Sequence, residues 1–181
     1  MFRIAILDDL PAIAAIYDDI HSAEEAGPRQ VGLIRSIYPT QDTARMAIAA
    51  GEMYVLEKNG DVVAAGKINK EQMPAYAQVN WLHEAEDEQV MVLHTLVVSP
   101  KEGGKGYGSE FVAEYEAMAF QNNCPFLRID TNAINHRARS MYKKLGYTEA
   151  GIIPCVFCGI PNVDLVCLEK RLTPPQTDND E

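Results

Sequence analysis

The sequence predicts a mixed α/β fold, with helices layered on one sheet. Three observations carry this expectation. Apolar residues recur with period 2 in some segments and near 3.6 in others. Residues 53–58 and 62–68 are β-rich runs joined by Asn59-Gly60, the strongest short-range hairpin signal. Residues 90–98 form a nearly continuous apolar run, followed by a glycine-rich segment, a helical stretch and another strand, the order of a βαβ unit.

Residues 2–7 read as a strand, after which Asp8 or Asp9 N-caps a helix that tolerates Pro11 and aligns Ile13, Ile16, Tyr17 and Ile20. Residues 27–39 hold two prolines and two glycines and read as a loop. Thr40 or Asp42 opens an alanine-rich helix ending near Gly51, and the hairpin follows. Residues 69–89 are polar and irregular, longer than a simple connection requires. The run over 90–98, broken by His94 and Thr95, suits a strand buried on both faces. A helix to about Asn122 sets Phe111, Val112, Tyr115, Met118 and Ala119 on one side, and a parallel strand spans 126–131. Residues 135–145 are a helix closed by Gly146, and strands over 147–156 and 163–172 join around Gly159-Ile160-Pro161-Asn162. The order β-α-α-β-β-β-α-β-α-β-β fills residues 1–172 as one domain, and polar residues 173–181 are expected to be a disordered tail.

Composition narrows the function. With 181 residues, 47% hydrophobic and 23% charged, the chain can bury a core, and no apolar run reaches the ~18–20 residues of a spanning helix. A net charge of −10 without a Lys/Arg cluster argues against nucleic acid and suits an amine substrate. The short apolar start, followed by Asp8 and Asp9, is no secretory signal, so the cytoplasm is the expected compartment. There Cys124, Cys155, Cys158 and Cys167 are expected as buried thiols. Cys155-x-x-Cys158 lacks a second pair at zinc spacing and His21, His83 and His136 complete no ligand pattern, so no metal is expected.

Gly103-Gly104-Lys105-Gly106-Tyr107-Gly108-Ser109 lies where a buried strand turns into a helix. Backbone N–H groups there can point together at an anion, and glycines permit close approach and positive φ. It is neither a P-loop nor a dinucleotide fingerprint. From Gly104 the third required glycine falls on Ser109, and from Gly106 it falls on Phe111. A glycine-rich connection without a ligand is the competing reading.

Leu93-His94-Thr95-Leu96-Val97-Val98-Ser99-Pro100, followed by Gly104-Lys105-Gly106-Tyr107-Gly108, resembles the acetyl-CoA-binding motif of the GNAT superfamily of N-acetyltransferases. Asn135-His136-Arg137-Ala138-Arg139-Ser140-Met141-Tyr142-Lys143-Lys144-Leu145-Gly146-Tyr147 is similar to the same family's second signature. The resemblance implies a GNAT-like three-layer fold: a central mixed, mostly antiparallel sheet, splayed between strands four and five and flanked by helices. It implies transfer of acetyl from acetyl-CoA, a cosubstrate, to a primary amine of a small molecule, peptide or protein, by direct attack in a ternary complex. A catalytically silent CoA-binding module of the same fold is the alternative. Leu96, Val97 and Val98 would pair with the pantetheine arm near a bulge, residues 103–109 would hold the pyrophosphate, and Asn135 would contact the pantetheine. Gly103 departs from the family, which usually has Arg or Gln there. Lys105 either compensates or points to solvent.

Such chemistry needs a base for the amine, a donor for the oxyanion and an acid for the thiolate. Tyr142 matches the family tyrosine near the CoA sulfur and is the expected acid; its competing reading is a core tyrosine. His94 interrupts an apolar strand and resembles in placement a histidine of arylalkylamine N-acetyltransferases, which makes it the expected base; a satisfied core histidine is the alternative. Glu84, Glu86, Asp87 and Glu88 are the other base candidates, since many relatives use a Glu before that strand. The oxyanion donor would be the N–H of Val97 or Val98. Acceptor choice would rest on residues 27–39 and 69–89 and on the last hairpin, where Tyr38, Tyr76 and Trp81 either line an aromatic amine pocket or pack the loop down. Val156, Phe157 and Ile160 are the surface on which a homodimer would form.

Overall fold

The computed structural model describes residues 1–173; from residue 174 on, the expected tail lies outside the described residues. Strands β1 (Phe2–Ile4), β2 (Met53–Lys58), β3 (Asp61–Asn69), β4 (Val90–Val98), β5 (Phe126–Asn132), β6 (Thr148–Phe157) and β7 (Ile160–Arg171) form one sheet in the order β1-β2-β3-β4-β5-β7-β6. Among these strands β4 and β5 alone pair in parallel. Helices α1 (Leu10–Ala26), α2 (Gln41–Ala49), α3 (Tyr107–Gln121) and α4 (His136–Lys144) complete the expected order.

Alternation along the strands divides the core into layers. Val55 and Ala65 turn to Ile13, Ile16 and Tyr17 of α1 and to Ala44 and Ala47 of α2. Their neighbours Leu56 and Ala64 turn the other way, to Phe111, Val112 and Tyr115 of α3. A third cluster joins Val90 and Val92 of β4 to Val163, Leu165 and Cys167 of β7, under Tyr76 and Val79 from the 69–89 segment. Tyr76 is almost wholly buried, and Trp81 lies over the Arg128 guanidinium at 4.0 Å, so both aromatics pack that segment down.

Several boundaries differ from the sequence expectation for local reasons. β1 stops at Ile4, because Asp9 draws the chain into a tight turn. Its carboxylate accepts the Ile6 N–H at 2.8 Å and both Arg3 terminal nitrogens at 2.7 and 2.8 Å, so it braces the turn and does not cap α1. Thr40 does cap α2, accepting the Thr43 N–H. Asn59-Gly60 forms the expected turn, with positive φ at both residues. The last hairpin turns earlier than expected, at Cys158-Gly159, where φ of 47° and 87° supplies the same paired left-handed geometry. Pro161 and Asn162 are therefore already in β7. Of the residues set aside for a dimer surface, Ile160 is core and Val156 is 68% exposed on edge strand β6. Cys124 and Cys167 are buried, whereas Cys158 is exposed in the turn.

The β4–β5 ladder runs from Val90 opposite Phe126 to Leu93 opposite Ile129 and ends there. Beyond it β4 stays on β3 and β5 stays on β7, so the two strands splay. Between Val97 opposite Ala65 and His94 opposite Lys67, β4 holds one residue more than β3. This bulge is centred on Thr95 (φ 49°), one residue before the stretch where the family likeness set it. Beneath the ladder the fully buried Tyr115 hydroxyl donates to the Met91 carbonyl at 2.5 Å and lies 3.3 Å from that of Arg128, tying β4 to β5 just before they part. Tyr115→Phe should cost about 1–2 kcal/mol in urea unfolding, since a buried carbonyl is left short of a donor. A loss below ~0.5 kcal/mol would show that the tie contributes little.

Candidate active site

Where β4 and β5 separate, the β5-facing edge of Leu96, Val97 and Val98 has no strand partner. After Ser99 the chain makes one tight turn over Pro100–Glu102, and Gly104 (φ 83°) and Gly106 (φ 82°) then swing it into α3. Nothing stands within 4 Å of a Cβ at either glycine, so backbone conformation alone requires them. The first intrahelical bond of α3 is Glu110 N–H to the Gly106 carbonyl. The amides of Tyr107, Gly108 and Ser109 are thus left at the positive end of the helix dipole. A Cβ on Gly108 would stand 3.0 Å from the Met141 sulfur, so this glycine lets α4 close against α3.

These pieces wall a cleft of about 660 Å³, lined on one side by residues 96–100 and the glycine turn and on the other by Asn135, Ala138 and Tyr142 of the α4 region. A smaller chamber of about 60 Å³ lies between Thr95, Asp130, Thr131, Phe157 and Leu165. Cleft and chamber share Val31, Leu33, Leu96, Asn135, Ala138 and Tyr142 as walls. The 27–39 loop crosses both. Glu24 holds it there by accepting the N–H groups of Gln30, Val31 and Gly32 at 2.9, 3.0 and 2.8 Å. Gly32 (φ 82°) lies against Asn132, whose amide nitrogen a Cβ would meet at 2.3 Å.

Tyr142 stands in the shared wall, 4% exposed, with its ring edge-on to Tyr147. Burial pushes its phenol above its ordinary pKa, so it holds its proton at neutral pH. Asn135 caps α4 through the Ala138 N–H at 3.1 Å. Asp130 is buried at the back of the chamber. Loss of solvent raises its carboxyl to about 6, against the lowering effect of the Tyr76 hydroxyl, which donates to Oδ2 at 2.7 Å. Thr95, the bulge residue, turns its hydroxyl to that of Tyr38 at 2.6 Å, and Tyr38 meets Phe157 edge-on.

His94 is not among the residues lining either space. Its Nε2 is 2.8 Å from Asn69 Oδ1, and burial, aided by the Lys67 charge, lowers it to about 4, so it is neutral at pH 7. Glu84, Glu86 and Asp87 are exposed around an open depression at the other end of β4, a strand's length from Leu96. Lys105 pairs with Glu102 at 2.6 Å, and its side chain is outside the cleft lining. The structure thus brings together Leu96, Val97, Val98, Gly103, Gly104, Gly106, Tyr107, Gly108, Ser109, Asn135 and Tyr142, and leaves His94 and the Lys105 side chain beside them. Sequence reading missed Asp130 and Glu24. Asp130 carried the signal that drew attention to His94, a polar residue inside an apolar strand; Glu24 had none, as its partners are backbone amides. No helix among the described residues is long and apolar enough to cross a membrane, and no group of three or more His, Cys, Asp or Glu among them could hold a metal ion.

The model of the acetyltransferase (GNAT) family matches residues 13–147. YhfO, an uncharacterized N-acetyltransferase of Bacillus subtilis (strain 168), is 26% identical over 106 residues, 59% of this chain and 64% of its own length. The chain thus spans less than two thirds of that curated relative. Among solved structures, a GNAT-family acetyltransferase from Streptococcus agalactiae 2603 superposes with a TM-score of 0.79 at 19% identity, covering 96% of each chain. The structure of yncA from Salmonella typhimurium, with its cofactor acetyl-CoA, gives 0.69 at 18% identity over 96% of this chain and 94% of that one. At these identities the likeness is one of fold.

Replacing Glu24 by Ala releases three loop amides at once. Hydrogen exchange at Gln30, Val31 and Gly32 should accelerate at least about tenfold, with β4 and β5 unchanged. Exchange as slow as in the parent protein would show that the loop is held by packing alone.

Proposed function

The chain belongs to the GNAT acetyltransferase family, and from that premise we propose that it transfers the acetyl group of acetyl-CoA to a primary amine, by direct attack within a ternary complex. One observation carries the reading: an anion-suited cleft and a carboxylate-bearing chamber meet at the Tyr142 wall. When bound, acetyl-CoA supplies an acyl group already activated as a thioester.

The roles follow from the chemistry of the walls. The amides of residues 107–109 suit the pyrophosphate, and the free edge of Leu96–Val98 suits the amide-bearing pantetheine arm. Asp130 is the base. Ionised at pH 7 yet raised to about 6, it attracts an ammonium ion and accepts its proton, and the Tyr76 hydroxyl on Oδ2 leaves Oδ1 for the amine. The amine nitrogen forms the new bond to the acetyl carbon while a backbone N–H of Val97 or Val98 steadies the oxyanion. As the C–S bond breaks, the nitrogen loses its second surplus proton to Asp130, which has by then passed the first to solvent. Tyr142 gives its proton to the departing thiolate and regains one from solvent. We assign His94 a positioning role, since a neutral imidazole fixed on Asn69 stiffens the strand beside the bulge.

Calorimetric titration with acetyl-CoA and CoA, followed by thiol release against a panel of amines, tests the activity. Binding with release for some amine is expected; binding without release for any would make the chain a silent CoA-binding module. Asp130→Asn should lower kcat about 100-fold or more while the CoA Kd stays within about twofold. His94→Ala should cost much less, and an equal or larger loss would return the base role to His94. Tyr142→Phe should slow single-turnover acetyl transfer and spare CoA binding; weakened binding with an unchanged step would make Tyr142 a packing residue. The active form of Asp130 is the carboxylate and its pKa is raised, so kcat/KM should fall as pH drops through about 6, not through the ordinary value of 3.8. That limb should vanish in Asp130→Asn.

A further inference from the structure

Gly103 is not glycine for the sake of its backbone, whose φ of −59° and ψ of 142° suit any residue. A Cβ there would press on the Pro100 carbonyl oxygen at 3.2 Å and would stand in ordinary contact, 3.8 Å, with both terminal nitrogens of Arg137 from the first turn of α4. A longer side chain would therefore compete with the guanidinium for that place. Arg137 also lines the cleft, and among the described residues its guanidinium takes no hydrogen-bond or ion-pair partner. The other cations of this region differ. Lys105 is held by Glu102 at 2.6 Å and Lys101 by Asp19 at 2.8 Å; Lys144 lines the cleft two turns further along α4. In a chain of net charge −10, a ligand bearing several phosphate charges needs a local positive potential. The amides of Tyr107, Gly108 and Ser109 supply part of it, and a fork of N–H donors beside them completes it, since a guanidinium pairs with two phosphate oxygens at once.

We propose that Arg137 reaches across the bare Cα of Gly103 to clamp the diphosphate of CoA, so that the cation at the mouth of this site comes from α4 and not from the glycine turn. The proposal rests on the acetyl-CoA reading above. No bond is made or broken by Arg137; its role is binding alone.

Calorimetric Kd values for CoA and 3′-dephospho-CoA, at low and moderate salt, test it on the full chain. Arg137→Ala should weaken both ligands about tenfold and flatten the salt dependence of Kd. Arg137 is exposed, so the melting temperature should be unchanged, which separates lost binding from lost folding. Lys144→Ala should weaken binding less. Unaltered affinity in Arg137→Ala overturns the proposal, as do equal losses in Lys144→Ala, which would indicate a diffuse field, and a loss confined to CoA, which would move the contact to the 3′-phosphate. Absence of binding by the parent protein to either ligand would instead defeat the acetyl-CoA reading itself.

Discussion

A parallel ladder that ends at Leu93 and Ile129 leaves two central strands diverging inside a closed core, and the rest of the site is arranged around that gap. Strand edges are tolerable inside a protein only if something satisfies their amides and carbonyls. Here each strand keeps its outer partner, β3 for β4 and β7 for β5, so half of the hydrogen bonding survives on both sides. Below the gap Tyr115 of α3 ties the last paired stretch of the two strands together, and the loop that Glu24 secures lines the gap from the other side. A ligand with amides along its length would complete the broken ladder, which joins fold to function more tightly than any single side chain does.

The two ends of this gap make opposite electrostatic demands. The cleft end offers amides at a helix N-terminus, where negative charge is stabilised. The chamber end offers a desolvated carboxylate, which favours a positive guest. Among the described residues the Asp130 carboxylate has no cationic partner, and its side-chain hydrogen bond comes from the neutral Tyr76 hydroxyl. A fixed cation at that point would hold the carboxyl in its low, unreactive range, as Arg3 does for the buried Asp9. Burial without a cation leaves Asp130 at about 6, within reach of proton exchange near neutral pH.

Much of this fold was legible in the sequence, because its signals are local. Asn59-Gly60 fixes one hairpin, Gly104 and Gly106 mark left-handed positions before α3, and Gly146 (φ 87°) closes the chain segment after α4. Every strand and helix lies where periodicity set it, to within a few residues at the ends. What stayed hidden depends on groups far apart in the chain. Glu24 binds amides six to eight residues ahead of it, Asp130 meets Tyr76 across 54 residues, and the Arg137 guanidinium lies against Gly103 from another helix. No spacing rule connects such pairs, since the connection is made by the tertiary fold.

The contrast between His94 and Asp130 shows how a single backbone irregularity decides a side chain's fate. Both interrupt apolar strands, and strict alternation would put His94 and Leu96 on one face of β4. The extra residue at Thr95 reverses that parity: Leu96 and Val98 pack with the cluster of Leu93, and Val97 with the cluster of α1 and α2. His94, just before the bulge, is left beside Asn69 and Lys67, where burial and a neighbouring positive charge keep it neutral. Asp130 comes one residue after the last paired position of β5, where the strands have begun to part, and so it faces the chamber. A polar residue inside a strand announces that something unusual happens there; which space it reaches is set by where the ladder breaks, and that is a property of two strands together.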